Sequence, residues 1–476
     1  LNNLDWLGVG GNFPPVSEME RLEKYEKNRD LFNGEHRRAY AEIYKKIKKN
    51  LYNFEWFFDS PTVLNYQRVI TLKMADLICG ECPQLMALKN ENGEIIMNLA
   101  NKISLQKVLY EIVIDISRFG NSVIKVFLNS DGLPSVTVIP PSYWFCVTDD
   151  YDKKIIKKHV IAYVHKYSEN RDFAELLVEI HEKGFYSLRT YEYNVKDKKI
   201  GHLVYEENEI PTGLDDFSII NFTNITTSDS VYGYDDYMPV NSLVSNISER
   251  IAQINRILDK HAQPTMTGPA SALEKDERSG KWFLPLGNFF KRQSAEDPPL
   301  EYVTWHSELE NAFKFIEILL NQLFILSEMG TAVFDSGSLL SGASRVESGV
   351  AMRLKMTSPL IKSRRIISQI DLDVKKMLSL LAKLDGFDIS VNEIGIIWKD
   401  GLPNDDKLNA EIVNIRTGGK PTMSQIEAIM ALDGKNFVQA SESFRQIKAD
   451  EREISEEPVI SEEINPVNID KNIISS

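Results

Sequence analysis

The sequence predicts an α+β protein made of several structural regions. Three observations carry this. Apolar residues recur every three or four places in the first 120 residues. Between 121 and 205 they fall in short alternating runs separated by turn residues. From Pro239 the helical period returns in two long stretches that frame a Pro/Gly-rich excursion of about forty residues. Two helices around a self-contained excursion have the form of a stalk carrying a head. At 476 residues the chain exceeds what one hydrophobic core serves. Its hydrophobic content of 43% and charged content of 26% are ordinary for a folded chain.

Residues 1–16 are rich in Gly, Asn and Pro and read as an arm. Ser17-Glu-Met-Glu20 has the capping-box pattern, so a helix is expected from Glu18 toward Phe32, broken at Asn33-Gly34. A second, strongly basic helical pattern covers Arg37 to Asn50. Pro61 to Gly80 is amphipathic, with Val63, Leu64, Tyr66, Val69, Ile70, Met74 and Leu77 at helical spacing. Ile103 to Phe119 is another, with Leu105, Val108, Leu109, Ile112, Val113 and Ile116 on one side.

The period then changes. Strands are expected at Asn121–Leu128, Ser135–Ile139, Trp144–Thr148, Lys158–Tyr167, Leu176–His181, Tyr186–Tyr193 and His202–Tyr205, an antiparallel insertion over roughly 120–222. A helix from Pro239 to His261 carries Val240, Leu243, Val244, Ile247, Ile251, Ile254, Ile257 and Leu258, and Gln263-Pro264 ends it. Its partner, Glu308 to Met329, carries Leu309, Phe313, Ile316, Leu319, Leu320, Leu323 and Phe324. Thr331 to Gly342 is small and Ser/Gly-rich, a loop. A helical pattern from Ser344 to Leu384 would be about 60 Å long if continuous, with a kink expected at Pro359 in its middle. Phe387 to Trp398 alternates like a strand. Thr422-Met-Ser-Gln425 should cap a helix to Leu432, and another covers about 436–450. From Asp450 to Ser476 eight acidic residues stand against two basic ones, the composition of a flexible tail.

No apolar run reaches the roughly 18–20 residues of a membrane span, and Leu1 to Val16 lacks the pattern of a signal peptide. The chain opens on Leu1, which points to a trimmed start. Three cysteines suit a reducing compartment. The net charge of −14 is wrong for a protein that grips DNA by its phosphates, so any such contact should be loose or confined to one basic element.

Catalytic motifs are weak. Cys79-Gly-Glu-Cys82 is a lone CxxC closing an apolar helix, better read as structural. His159 and His165 share one face of a strand but lack further ligands. Thr417-Gly-Gly-Lys-Pro421 lacks the first glycine and the final Ser/Thr of a phosphate loop, and Gly8-Val-Gly10-Gly11 lacks a preceding strand. Gly342-Ala-Ser344 is no nucleophile elbow, and no carboxylate pair reads as acid and base. No metal or cofactor is expected. The local charge anomaly is the long helix, where Arg345, Arg353, Lys355, Lys362, Arg364, Arg365, Lys375, Lys376 and Lys383 face only Glu347, Asp371 and Asp373. A solvated face, or one salt-bridged to neighbouring subunits, is the favoured reading. The functional one is weak phosphate contact, with Arg353, Lys355, Lys362, Arg364 and Arg365 as candidates.

The order of parts resembles the portal proteins of tailed bacteriophages, in particular the lineage in phages and prophages of Gram-positive hosts. The residues are Asn65-Tyr-Gln-Arg68, Ala75-Asp-Leu-Ile-Cys-Gly-Glu81 with Pro83, Phe119-Gly-Asn-Ser122, Gly233-Tyr-Asp-Asp-Tyr237, Asp259-Lys-His-Ala-Gln-Pro264, Tyr302-Val-Thr-Trp305, Ser327-Glu-Met329, and Ser344 with Ser348-Gly-Val-Ala351. The set is co-linear over roughly 20–430. The resemblance implies a portal fold. Its parts would be an α/β wing (1–238), stem helices at 239–262 and 306–330, and a clip at 263–305. A tunnel loop (331–343), a long kinked helix (344–385), a wing return strand (386–403), a helical crown (404–450) and an acidic tail (451–476) would follow.

It further implies a ring of, usually, twelve copies at a capsid vertex. That ring would conduct double-stranded DNA during packaging and ejection and dock the terminase large subunit and a head-completion adaptor. It would be assembled in the host cytoplasm with major capsid and scaffolding proteins, and touch no membrane. Ser336, Gly337, Ser338, Ser341, Gly342 and Arg345 would then face DNA, and Trp282, Phe283, Phe289 and Phe290 would form the clip's oligomer or partner surface. The alternatives are a DNA-processing enzyme such as a nuclease, which would need clustered carboxylates for metal, and a monomeric helical scaffold or adaptor.

Overall fold

The computed structural model describes residues 4–40, 64–87, 90–169, 172–262, 309–330, 354–399 and 406–456, except 420, 434 and 436, together with four two-residue strands between 266 and 302. The chain divides into two compact units, Leu1–Gly401 and Leu402–Ser476. Helices and antiparallel sheets coexist in the first unit, as expected of an α+β chain.

The first unit opens with α1 (Met19–Asn33) and the short α2 (His36–Ala39). Ser17 does not cap α1. A 3-10 turn at Val16–Glu18 precedes it, in which the Glu18 amide bonds Pro15. Gly34, in the left-handed region, ends α1 by returning its amide to the last turn. Most of the basic pattern 37–50 lies outside the described residues. Helix α3 (Tyr66–Cys79) starts later than expected because Asn65 caps it, accepting the Arg68 amide at 3.1 Å. Its stripe is also rotated. Val69 is exposed, while the polar Gln67 and Thr71 are buried with Ile70, Met74 and Ile78.

Two elements were unread in the sequence, strand β1 (Gln84–Ala87) and helix α4 (Asn90–Lys102). In α5 (Leu105–Phe119) all six expected apolar positions are buried.

Strands β2 (Asn121–Leu128), β3 (Pro134–Ile139) and β9 (Ile219–Thr223) form one sheet in the order β3-β2-β9. Strands β4 (Trp144–Thr148), β5 (Ile156–His165), β6 (Phe173–His181), β7 (Phe185–Asn194) and β8 (Lys199–Pro211) form a five-stranded antiparallel meander. Strand β8 runs far beyond the expected 202–205. Its exposed acidic residues, Glu206, Glu207 and Glu209, hide the alternation that marks a half-buried strand. One face of the meander packs Val160, Ala162, Leu176 and Val178 against Leu7 and Phe13 of the N-terminal arm. The other carries Trp144, Cys146 and Ile161 against Val123, Ile139 and Ile219. The arm is therefore part of a core.

Helices α6 (Asn241–Ala262) and α7 (Leu309–Leu326) pack on each other. Ile316, Leu319 and Leu323 of α7 are buried, whereas Phe313 and, on α6, Leu258 are exposed despite their place in the expected stripes. Just beyond the far ends of these helices β10 (Met266–Thr267) pairs antiparallel with β13 (Glu301–Tyr302), and β11 (Glu274–Lys275) pairs with β12 (Trp282–Phe283). The excursion thus closes on itself.

Helix α8 (Thr357–Leu384) follows a break at Met356, and residues 344–353 of the long pattern lie outside the described residues. Pro359 sits in the first turn of α8. Amides there have no intrahelical acceptor, so α8 tolerates the proline, and the break at Met356 falls within the turn that precedes it. The strand expected over 387–398 is shorter. Strand β14 (Ile394–Ile397) returns to pair with β1, Gln84 opposite Ile397.

In the second unit α9 (Asp406–Thr417) was not foreseen, and α10 (Gln425–Asp433) precedes α11 (Phe437–Glu456). The cap of α10 is Ser424, not Thr422. Ser424 Oγ accepts the Glu427 amide at 3.2 Å and Glu427 takes the Ser424 amide at 2.8 Å, a complete capping box. Helix α11 runs on to Glu456, six residues into the expected flexible tail, and the rest of that tail lies outside the described residues.

Candidate functional site

Segments far apart in sequence converge on the root of the α6–α7 pair. The turn Gly233-Tyr-Asp-Asp-Tyr237 leads into α6, Phe119-Gly-Asn-Ser122 joins α5 to β2, and Ser327 follows α7. Their polar groups meet around the Asp236 carboxylate. Asp236 Oδ2 accepts Ser117 Oγ at 2.7 Å, and Oδ1 accepts Asn224 Nδ2 at 3.1 Å. The Lys362 ammonium, projecting from α8, pairs with Oδ1 at 3.0 Å. Lys362 also donates to the Ser327 carbonyl at 3.0 Å. Asp236 and Lys362 are 5% and 3% exposed, so this is a buried ion pair whose polar atoms are matched by further bonds.

The network extends into α3 and α6. Thr71 Oγ1 lies 2.9 Å from both Ser117 Oγ and Tyr237 Oη. Gln67 Nε2 reaches Tyr40 Oη at 3.1 Å and Asn241 Oδ1 at 3.2 Å. Next to it, Asp235 Oδ1 accepts the amides of Tyr237 and Met238, and Lys24 pairs with Oδ2 at 2.5 Å. One ammonium therefore binds the chain before α6 and the chain after α7. With the β10–β13 pairing at the far ends, this makes α6 and α7 an antiparallel hairpin.

This placement corrects one candidate phosphate contact. Lys362 is buried and committed to Asp236, so it cannot meet an external anion. Arg365 donates from Nη2 to both Glu328 carboxylate oxygens, at 2.8 and 2.9 Å. Lys375 pairs with Asp371, Lys376 with Asp216 and Lys383 with Asp215. The basic surplus of α8 is thus largely neutralised within the chain. Arg364 and Lys355 are exposed. Arg345, Arg353 and the loop residues Ser336, Gly337, Ser338, Ser341 and Gly342 lie outside the described residues, as do Phe289 and Phe290. Trp282 and Phe283 are described only as backbone of β12.

The two larger sheets hold a second polar cluster. Glu179 takes His181 Nε2 at 2.9 Å and Lys125 at 2.6 Å, and His181 Nδ1 lies 3.0 Å from Ser218 Oγ. Burial alone would raise the Glu179 carboxyl, but the hydrogen bond from His181 and the Lys125 charge hold it at about 2. His159 accepts Trp144 Nε1 at 3.1 Å, and burial lowers its imidazole to about 3. Both histidines serve packing and hydrogen bonding. Cys79 and Cys82 are free, and burial pushes the Cys79 thiol up to about 12, so it holds no thiolate at neutral pH. No group of three His, Cys, Asp or Glu that could hold a metal occurs among the described residues. None of the described helices is long and apolar enough to cross a membrane.

The sequence reading missed the hub itself. Its signal was present as polar residues on apolar stripes. Gln67 and Thr71 fall among Ile70, Met74 and Leu77, and Lys362 lies four residues before Ile366 on the buried side of α8.

Among solved structures, the chain is similar to a chain of the virion of a native gene transfer agent particle (11% identity, 78% of this chain and 89% of that one, TM-score 0.42). It is also similar to chains of the neck of the empty particle (10%, 79% and 91%, TM-score 0.46) and of the native particle's neck computed with C12 symmetry (12%, 79% and 90%, TM-score 0.40). No curated protein matches. The family model described as "Phage portal protein, SPP1 Gp6-like" matches residues 17–457, nearly the whole chain. The chain belongs to this family of phage portal proteins, which are structural and not enzymatic.

Proposed function

We propose that copies of this chain close into a ring, twelve in the usual portal, at one vertex of a phage capsid. The ring is the conduit through which double-stranded DNA is packaged and ejected, and the platform on which the terminase large subunit and a head-completion adaptor dock. It contacts major capsid and scaffolding proteins during assembly in the host bacterial cytoplasm. In this reading residues 1–238 with the β14 return are the wing, the α6–α7 hairpin is the stem, and 263–305 is the clip. Residues 331–343 are the tunnel loop, and 404–450 the crown.

The observation that carries the proposal is the family match from 17 to 457. Surface chemistry supports it. Helix α7 buries Ile316, Leu319 and Leu323 yet leaves Phe315, Ile318, Ile325 and Leu326 between 42% and 65% exposed. Such an apolar face on a helix already packed on one side suits a neighbouring copy. A head-to-tail contact of this kind closes only at the correct rotation. The acid-rich chain, at −14, suits a conduit that must let a polyanion slide. Weak, salt-screened contacts then fall to Lys355, Arg364 and, from the neighbouring segment, Arg345 and Arg353. Trp282, Phe283, Phe289 and Phe290 supply the clip's partner surface.

Native mass spectrometry with electron microscopy of the purified chain tests this. The expected result is a closed ring with a central hole. A protein that stays monomeric at all concentrations overturns it and favours the scaffold reading.

A further inference from the structure

The turn between α7 and the segment that follows is held from one side by a single stripe of α8. Ser358 Oγ donates to the Glu328 carbonyl at 3.0 Å, Lys362 Nζ to the Ser327 carbonyl at 3.0 Å, and Arg365 to both Glu328 carboxylate oxygens at 2.8 and 2.9 Å. These three residues sit at i, i+4 and i+7, one face of a helix. What they hold is unfavourable by itself. Glu328 has φ of 59°, in the left-handed region that a side chain disfavours, and the Ser327 carbonyl follows the last helical turn and has no partner further along α7. Lys362 alone reaches past this turn, to Asp236 at the start of the hairpin.

A buried ion pair is a poor way to gain stability, since an apolar pair of the same volume often does as well. Its distinct property is direction. The carboxylate is fixed by Ser117, Asn224 and its own backbone amide bonded to Ser117 O, so the ammonium has one position. We propose that Lys362 is a positioning residue, and that the Ser358–Lys362–Arg365 stripe is a clamp that sets the angle of the α6–α7 hairpin on α8 and the direction in which the chain leaves α7. The clamp ties both legs of the hairpin to one helix, so hairpin and α8 move as a unit.

The test compares the full-length protein with Lys362→Met, with Asp236→Asn, and with the Lys362→Met/Asp236→Asn double variant. Denaturant midpoints and amide hydrogen exchange are the readouts. Lys362→Met alone strands the Asp236 charge and lowers the midpoint, and the double variant removes that stranded charge and recovers most of it. If Lys362 positions, exchange of the amides of residues 327–330 in the double variant stays about a hundredfold faster than in the unaltered protein, while amides of β5–β7 keep their rates. If the pair only fills space, the double variant restores slow exchange at 327–330, and the proposal falls. Acceleration spread equally over β5–β7 also overturns it, because it reports global unfolding. Native mass of the same samples is read separately. A missing ring there defeats the portal reading and leaves the exchange comparison intact.

Discussion

Gly120 and Gly233 lie against each other so closely that a β-carbon on either would stand 2.1 Å from the other's carbonyl oxygen. Gly120 ends α5 with φ of 87° and passes its carbonyl to the Asn224 amide, while Gly233 begins the turn that delivers Asp236 to the hub. Backbone opposes backbone here, so no side chain can move aside. Gly233→Ala should cost about 2 kcal/mol from overpacking alone, and Gly120→Ala about 3 kcal/mol because the left-handed conformation adds strain. Denaturant midpoints of the two variants measure this. A loss under about 0.5 kcal/mol for either would mean that the approach is relaxed in solution.

Much of the framework was legible in the sequence, and the reasons differ by element. Helix α5 was read with its whole buried face because six large apolar residues repeat without interruption. The meander was read because turns such as Glu182-Lys-Gly184 punctuate it. What escaped was non-local. Strand β1 has four residues and exists through its pairing with β14, some 310 positions away, so no local period announces it. The sequence places Lys362 among surface cations, because charge in a sequence carries no sign of burial. Its partner Asp236 is 126 residues upstream.

The outer face of α7 leads to a separation of assembly from folding. Ile318 is 56% exposed and Ile325 65%, whereas Ile316, Leu319 and Leu323 are buried. Ile318→Glu and Ile325→Glu should therefore leave monomer stability within about 0.5 kcal/mol and still shift the population from rings to smaller species. Native mass spectra at matched concentration decide this. Undiminished rings in both variants would place the subunit contact elsewhere.

Acid should find a weak point in the sheets at His159. Burial holds its imidazole at about 3, well below the ordinary 6.5. A depressed folded pKa means that the unfolded chain binds the proton first. The stability the neutral ring permits is complete above about pH 6.5 and is lost as pH falls toward 3, about 2 kcal/mol of it between pH 7 and 5. Asp115 and Asp373 run the other way. Burial raises both to about 6, so their penalty fades over the same fall in pH. The comparison must therefore be made by subtraction. His159→Gln should remove about 2 kcal/mol of the pH 7-to-5 dependence, read from denaturant midpoints of both proteins. An unchanged dependence would show that His159 is already protonated or solvated.

Under the portal reading, shortening the chain within 335–341 should spare assembly and impair DNA. The anchors on either side of this segment are adjacent. A β-carbon on Gly330 would lie 3.8 Å from the Lys355 carbonyl and 3.9 Å from the Pro359 ring, so the described chain before and after 331–353 meets here. If 331–343 is the tunnel loop, removing seven residues changes its closure entropy by only a few tenths of a kcal/mol and does not pull on Ser327 or Lys362. Rings of the deleted protein should match the parent in mass and midpoint. The lost residues include Ser336, Gly337, Ser338 and Ser341, small side chains that permit close approach to DNA without a strong grip. Heads carrying the deletion should therefore package or retain less DNA, measured as nuclease-protected length per particle. Full-length protected DNA in those heads would remove the loop from the conduit's mechanism.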